Sequence, residues 1–164
     1  MSNDFYINFI RPNAGIIIKI CRAYSYSQED FEDLYQEVCL QIWRTKDNFI
    51  GNSEWSTWVY RITLNVCMTF QKTEAKRTFQ NGILDSVPEA LSTDSSAIQE
   101  ESLSQLYMAI KQLSVIDRAI ILLYLEEKSY QEIAEIIGTN SNNIGVKIQR
   151  IKNRLKKLII RHYE

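Results

Sequence analysis

SYQEIAEIIGTNSNNIGVKIQRIKNRLKKLIIR, from Ser129 to Arg161, decides how this chain is read. It divides at Gly138 into a short amphipathic helix and a longer one. Ser129 followed three residues later by Glu132 is a capping box that starts the first helix, whose Ile133, Ala134, Ile136 and Ile137 keep to one side. Glycine suits the left-handed position just past a helix end, and Thr139, Asn140 and Ser141 then offer side-chain oxygens to the amides of the next helix. Two helices joined by so tight a turn have helix-turn-helix spacing.

The second helix carries two kinds of stripe. Ile144, Ile148, Ile151, Leu155, Leu158 and Ile159 recur at helical spacing and are expected to face a core. Lys147, Arg150, Arg154, Lys157 and Arg161 recur on a neighbouring face, while Lys152 and Lys156 flank the apolar stripe on its other side. A run of cations alone is usually a solvated face. Here it follows a capped short helix, a glycine turn and the polar pair Asn142 and Asn143, which together describe a recognition helix entering a major groove by its N-terminus, with cations left for phosphates.

Composition sets the outer bounds. At 164 residues the chain has room for one ordinary domain or two small ones, and it is too poor in Gly and Pro to be fibrous or loop-rich. The net charge of -1 conceals segregation: Glu29, Asp30, Glu32, Asp33 and Glu37 crowd one segment, whereas the C-terminal helix is strongly basic. Cys21, Cys39 and Cys67 are widely spaced in apolar surroundings, so they read as buried thiols and no metal site is expected. No apolar run approaches the roughly 20 residues of a membrane span, and no signal-peptide pattern is present, so no membrane insertion and a cytoplasmic location are expected. Neither a phosphate-binding glycine loop nor a catalytic constellation appears, which argues against an enzyme and against a cofactor.

Toward the N-terminus, residues 5–25 read as a short helix followed, beyond Pro12, by a longer one with Ile16, Ile17, Ile20, Cys21 and Tyr24 on its apolar face. Ser27 with Asp30 caps a helix from Gln28 to about Arg44, with Phe31, Leu34, Tyr35, Val38, Ile42 and Trp43 turned inward. Its acids favour the helix dipole. Five are more than a dipole needs, and an exposed patch including Gln36 would suit a basic partner. After a polar loop, Asp47 to Trp55, Ser53 is expected to cap a helix from about Glu54 to Lys72 built on Trp55, Trp58, Val59, Ile62, Val66 and Phe70. Trp55, Trp58, Tyr60 and Arg61, then Lys72, Lys76 and Arg77, set rings beside cations, which suits single-stranded DNA, and Trp58 is expected to be buried. Thr78 to Glu101 holds acids, no Lys or Arg, and Pro88 in a Ser-rich run, the composition of a flexible acidic linker. Beyond it Leu103, Leu106, Tyr107, Ile110 and Leu113 give one helix, and Ser114 with Asp117 caps another through the apolar AIILLYLEE.

Three motifs in order resemble one family, the bacterial RNA polymerase sigma factors of the extracytoplasmic-function type. They are DFEDLYQEVCLQIW (Asp30 to Trp43), FIGNSEWSTWVYRITLN (Phe49 to Asn65), and LSVIDRAIILLYLEEKSYQEIAEIIG with the basic helix that follows. The resemblance implies an all-α chain of two small helical domains: residues 1–77 for the minus-10 element, promoter melting and polymerase binding, a linker over 78–97, and residues 98–164 for the minus-35 element. Carried over by position, Asp33, Gln36 and Glu37 would contact core polymerase. The loop around Phe49 would hold a flipped base, with Trp58, Arg61 and Asn65 along the melted strand. Asn142, Asn143, Val146, Lys147, Gln149 and Arg150 would read the minus-35 duplex and touch its phosphates, with Arg154 and Lys157 farther along the backbone. The implied partners are core RNA polymerase through its beta-prime and beta subunits, promoter DNA, and an anti-sigma factor. The chain departs from the family pattern at Gly145, where Lys or Arg is common, and Val146 is less polar than usual. Two other readings stay open at this point: an autonomous helix-turn-helix regulator of duplex operators, and an all-helical enzyme or scaffold.

Overall fold

Short polar side chains start four of the helices in the same way. Ser27 Oγ accepts from Asp30 N at 3.1 Å, Ser114 Oγ from Asp117 N at 3.2 Å, Ser129 Oγ from Glu132 N at 3.1 Å, and Asn140 Oδ1 from Asn143 N at 2.9 Å. Each bond satisfies an amide that the helix itself leaves orphaned. The computed structural model describes residues 1–81 and 97–163, and among them all regular structure is helical. The chain divides into two compact units, Met1–Pro88 and Glu89–Glu164.

The first unit begins with a stepped turn: α1 (Asn3–Phe5), a π-helical segment Tyr6–Ile10, and a 3-10 segment Arg11–Asn13 that has Pro12 in its first turn. Helices α2 (Ala14–Tyr24), α3 (Gln28–Thr45) and α4 (Trp55–Asn81) follow, and all three pack on one another. Ile16, Ile17, Ile20, Cys21 and Tyr24 are buried as their spacing requires, against Leu34, Val38, Cys39 and Ile42 of α3. Phe31, Tyr35 and Trp43 are only half-buried.

Helix α4 differs from the sequence expectation in three respects. It runs on to Asn81, past Lys72, and its first backbone bond, Trp58 N–H to Glu54 O at 3.1 Å, puts Glu54 rather than Ser53 at the cap position. Its core face is Val59, Tyr60, Thr63, Leu64 and Cys67, whereas Trp58, Ile62, Val66 and Phe70 are half-buried. The reason is that α4 meets both α2 and α3, so its most buried line is the seam between them and its larger apolar residues lie on the shoulders. Thr63 tolerates that seam because its hydroxyl bonds Val59 O at 2.8 Å. Of the expected linker, residues 78–81 and Ala97 are helical, and the remainder lies outside the described residues.

The second unit comprises α5 (Ala97–Lys111), α6 (Val115–Leu125), α7 (Tyr130–Ile137) and α8 (Ser141–Tyr163). Tyr107, Ile110 and Leu113 are buried, but Leu103 is 43% exposed and Leu106 only half-buried, so α5 is amphipathic in its second half. The run Ala119–Leu123 is buried throughout, against Ile133, Ala134, Ile144, Ile148, Ile151 and Leu155. Arg118 lies within this apolar unit at 3% exposure. Its Nη2 donates to Lys111 O at 2.8 Å and Leu113 O at 3.2 Å, so the guanidinium closes the C-terminal end of α5, where helix carbonyls are unsatisfied and the dipole is negative. No helix among the described residues is long and apolar enough to cross a membrane.

Candidate nucleic-acid and partner interfaces

Gly138 has φ +89, the left-handed value expected of it, and both Gly138 N and Thr139 N bond back to Ala134 O, at 2.8 and 2.9 Å. That closure turns the chain from α7 into α8. Ile144, Ile148, Ile151 and Leu155 are buried, whereas Leu158 and Ile159, expected to continue that stripe, are only half-buried, and the opposite side of α8 faces outward by geometry. Asn142, Asn143, Val146, Gln149, Arg150, Arg154 and Lys157 are exposed, and Lys147 is half-buried. Val146 presents an apolar side chain at 53% exposure on this polar face, a surface suited to a thymine methyl group.

Two of these side chains, and Lys152 of the same helix, are already engaged within the fold. Asn143 Nδ2 donates to Thr139 Oγ1 at 3.3 Å, which turns that amide back toward the loop. Arg154 Nη2 lies 3.5 Å from Gln112 O. Lys152 donates to the Tyr124 hydroxyl at 2.6 Å and sits 4.3 Å from the centre of its ring, and that hydrogen bond is the main cause of its raised pKa. A Cβ at Gly145 would stand 3.4 Å from the Tyr130 ring, so the position that departs from the family pattern is the one an aromatic ring covers. Tyr130, 43% exposed beside the face, is a surface residue that the periodic reading passed over.

The acidic helix α3 sorts its charges by place. Asp30 serves the cap, since its Oδ2 also accepts from Tyr26 N at 3.3 Å. Glu29, Glu32, Asp33 and Gln36 are exposed, whereas Glu37 is half-buried, accepts from Gln41 Nε2 at 3.0 Å and lies 4.0 Å from Arg44. Asp33 and Gln36 thus face solvent directly, and Glu37 does so from within a local network.

The third cluster surrounds the loop between α3 and α4. Phe49 meets Trp55 edge-on at 5.2 Å and Trp58 at 5.6 Å, and the two indoles lie 5.0 Å apart. Trp58 is therefore half-buried within an aromatic group, not in the core. Tyr60, grouped by sequence with the DNA-facing rings, is instead in the core. Arg61 is half-buried, and Asn65, Thr69 and Lys72 are exposed along one side of α4. Sequence reasoning missed that Phe5, Phe9 and Trp43 join this group, because they reach it from other helices.

Cys21, Cys39 and Cys67 are free, buried thiols. Burial first, then Cys21 and against a hydrogen bond from Tyr35, pushes the Cys39 thiol up to about 11. A hydrogen bond with Cys21, then burial, raises Cys67. Among the described residues no group of His, Cys, Asp or Glu could hold a metal.

Residues 9–77 match the family model of sigma-70 region 2, and residues 103–155 that of sigma-70 region 4. The ECF RNA polymerase sigma factor SigG of Mycobacterium tuberculosis is 29% identical over 171 residues, an alignment covering 88% of this chain and 46% of that protein. Thus the chain spans about half the length of that relative. SigX of Bacillus subtilis is 29% identical over 140 residues, covering 81% of this chain and 70% of SigX. The sigma factor RpoE of Bartonella quintana, solved in complex with the anti-sigma factor NepR, has the same fold with a TM-score of 0.74 at 24% identity, over 96% of this chain and 98% of that one. CnrH, solved with the cytosolic domain of CnrY, has a TM-score of 0.69 at 15% identity, over 96% of this chain and 89% of that one.

Proposed function

The chain belongs to the sigma-70 family of RNA polymerase sigma factors, in its ECF branch, and from that premise we propose that it binds core RNA polymerase and directs transcription to promoters with particular minus-10 and minus-35 elements. The observation that carries this reading is the pairing, in one chain and in order, of the aromatic loop and acidic helix of the first unit with the capped helix-turn-helix of the second. An autonomous operator-binding regulator would need the second unit only and would leave the region 2 match without a purpose.

In this reading the exposed Asp33 and Gln36, with Glu37 beside them, dock on basic surface of the polymerase beta-prime subunit, and the second unit lies toward beta. The loop at Phe49 takes an unpaired base, and Trp58, Arg61 and Asn65 follow the melted strand. On α8, Asn142, Asn143, Val146, Gln149 and Arg150 meet the minus-35 base edges, while Lys147, Arg154 and Lys157 meet phosphates. Extruding a base costs a few kcal/mol, which a ring-lined pocket offsets in part. Sigma factors are non-catalytic recognition subunits, so no reaction is assigned to this chain, and its work is cytoplasmic. An anti-sigma factor is the expected regulator, in line with the anti-sigma factor NepR bound in the RpoE structure.

Transcription in vitro, with core polymerase on fragments of the source genome, tests the proposal. Discrete start sites that appear only when the chain is added support it. Tight binding to duplex DNA without polymerase, together with no new transcripts, would overturn it.

A further inference from the structure

The first ten residues are tied to the loop between α3 and α4 at both of its ends. On the α3 side, Phe5 meets Trp43 edge-on at 5.1 Å, and the Tyr6 and Tyr35 hydroxyls share a 2.9 Å hydrogen bond. On the α4 side, Trp55 meets Phe5 at 6.3 Å and Phe9 at 5.8 Å, and its indole Nε1–H donates to the Phe9 carbonyl at 2.8 Å. Phe5 and Phe9 stack on each other at 5.1 Å, which makes them one wedge between the two stems of the loop.

The backbone of this segment is built for that bond. Tyr6–Ile10 is π-helical, with Arg11 N bonding Tyr6 O, and the chain then tightens into the 3-10 segment at Pro12. Such one-turn π segments are rare and concentrate at functional sites. Here the change of pitch turns the Phe9 carbonyl to side chains, Trp55 Nε1 and, at 3.4 Å, Asn13 Nδ2. Ile10 anchors the turn at 0% exposure, whereas Phe9 remains 47% exposed and Ile50 of the loop 77%. Phe9 and Trp55 lie within the region 2 match, which begins at residue 9, and Phe5 precedes it.

We infer that the N-terminal turn carrying Phe5 and Phe9 is a positioning element of the base-capturing loop: through Trp55 it fixes the ring of Phe49, and the exposed face of Phe9 lines the far side of the space that an unpaired DNA base enters. The inference rests on the sigma-factor reading above. Phe9 and Trp55 are then determinants of minus-10 preference, although neither lies among the positions that the family resemblance marks.

The test is selection by the reconstituted holoenzyme from duplex promoters randomised across the minus-10 element, with Phe9→Ala, Phe9→Tyr and Trp55→Phe beside the unaltered chain. Phe9→Ala and Trp55→Phe should reduce discrimination at the same single position by roughly 3- to 10-fold, the range one ring contact or hydrogen bond carries. Phe9→Tyr should retain it, and affinity for core polymerase and minus-35 preference should stay at the unaltered level. Should Phe9→Ala fail to fold, Trp55→Phe decides, because it keeps an aromatic ring at the position while removing the indole N–H together with the five-membered ring that carries it. An unchanged minus-10 profile in the folded variants, or an equal loss on every template, would overturn the inference while leaving the sigma-factor reading intact. Failure of the unaltered chain to start transcription would sink both.

Discussion

Arg150 and Arg154 stand one turn apart on α8 and both are exposed, yet they differ in how close they lie to the helix start and in what else they touch. Arg150 belongs to the opening turns, where a recognition helix meets base edges, and an arginine fork on guanine discriminates by about 1 to 3 kcal/mol. Arg154 lies farther along, with its guanidinium at the edge of hydrogen-bond range of Gln112 O. Arg150→Ala should therefore relax preference at one minus-35 position. Arg154→Ala should weaken binding to all sequences and lower the salt slope by about one unit. Polymerase-dependent binding to single-base promoter variants across a salt series separates the two, and the reverse pattern would refute this division. A second residue-scale expectation concerns Glu127, at φ 62 just past α6, where Glu127 N bonds Tyr124 O and Lys128 N bonds Leu123 O. This is the closure that usually has glycine at its left-handed position. Glu127→Gly should raise stability by about 0.5 to 1 kcal/mol in denaturant unfolding, since relief of the left-handed cost exceeds the added freedom of the unfolded chain.

At the scale of the element, α3 buries Leu34, Val38, Cys39 and Ile42 and turns Glu29, Glu32, Asp33 and Gln36 to solvent. Cap and dipole account for the first-turn acids. They do not account for Asp33, a turn further on. Reversing charge at Asp33 and Glu37 together should weaken core-polymerase binding by at least roughly tenfold, the equivalent of about 1.4 kcal/mol. Asp33→Lys alone should leave the melting temperature nearly unchanged, as exposed substitutions do. Glu37→Lys should cost a few tenths of a kcal/mol through its contacts with Gln41 and Arg44. Competition for core polymerase measures the first effect and thermal melts the second. Full affinity in the double variant would remove α3 from the interface. Helix α8 shows the complementary design, with seven Lys and Arg and no acid between Ser141 and Tyr163.

Over the whole molecule, the three thiols belong to the first unit, drawn from α2, α3 and α4, and the second unit has none. Cys39 and Cys67 keep their protons in the fold above the pH at which an unfolded thiol loses its own. The unfolded chain then binds fewer protons than the native one, so stability falls as pH rises. The first unit should hold its full stability below the ordinary thiol value of 9.0 and lose it progressively toward about 11, with a shallower slope in Cys39→Ala. Melts across that range, followed by the first unit's tryptophans, check this, and a flat profile would count against it. This convergence also marks how far the sequence alone could reach. Its three- and four-residue spacings determined the caps at Ser27, Ser114 and Ser129, the left-handed Gly138 and the buried stripe of α8, because each depends on residues within one or two helical turns. Helical period tells which residues share a face but not which face meets which neighbour. Only the tertiary structure decided that Thr63, Leu64 and Cys67 join the expected Val59 in the seam of α4, in place of Trp58 and Ile62. It alone brought Phe9 to Trp55 across 46 residues, folded Arg118 back onto the end of α5, and laid Tyr130 over Gly145, since contacts between separate helices are fixed by how volumes fill a shared core.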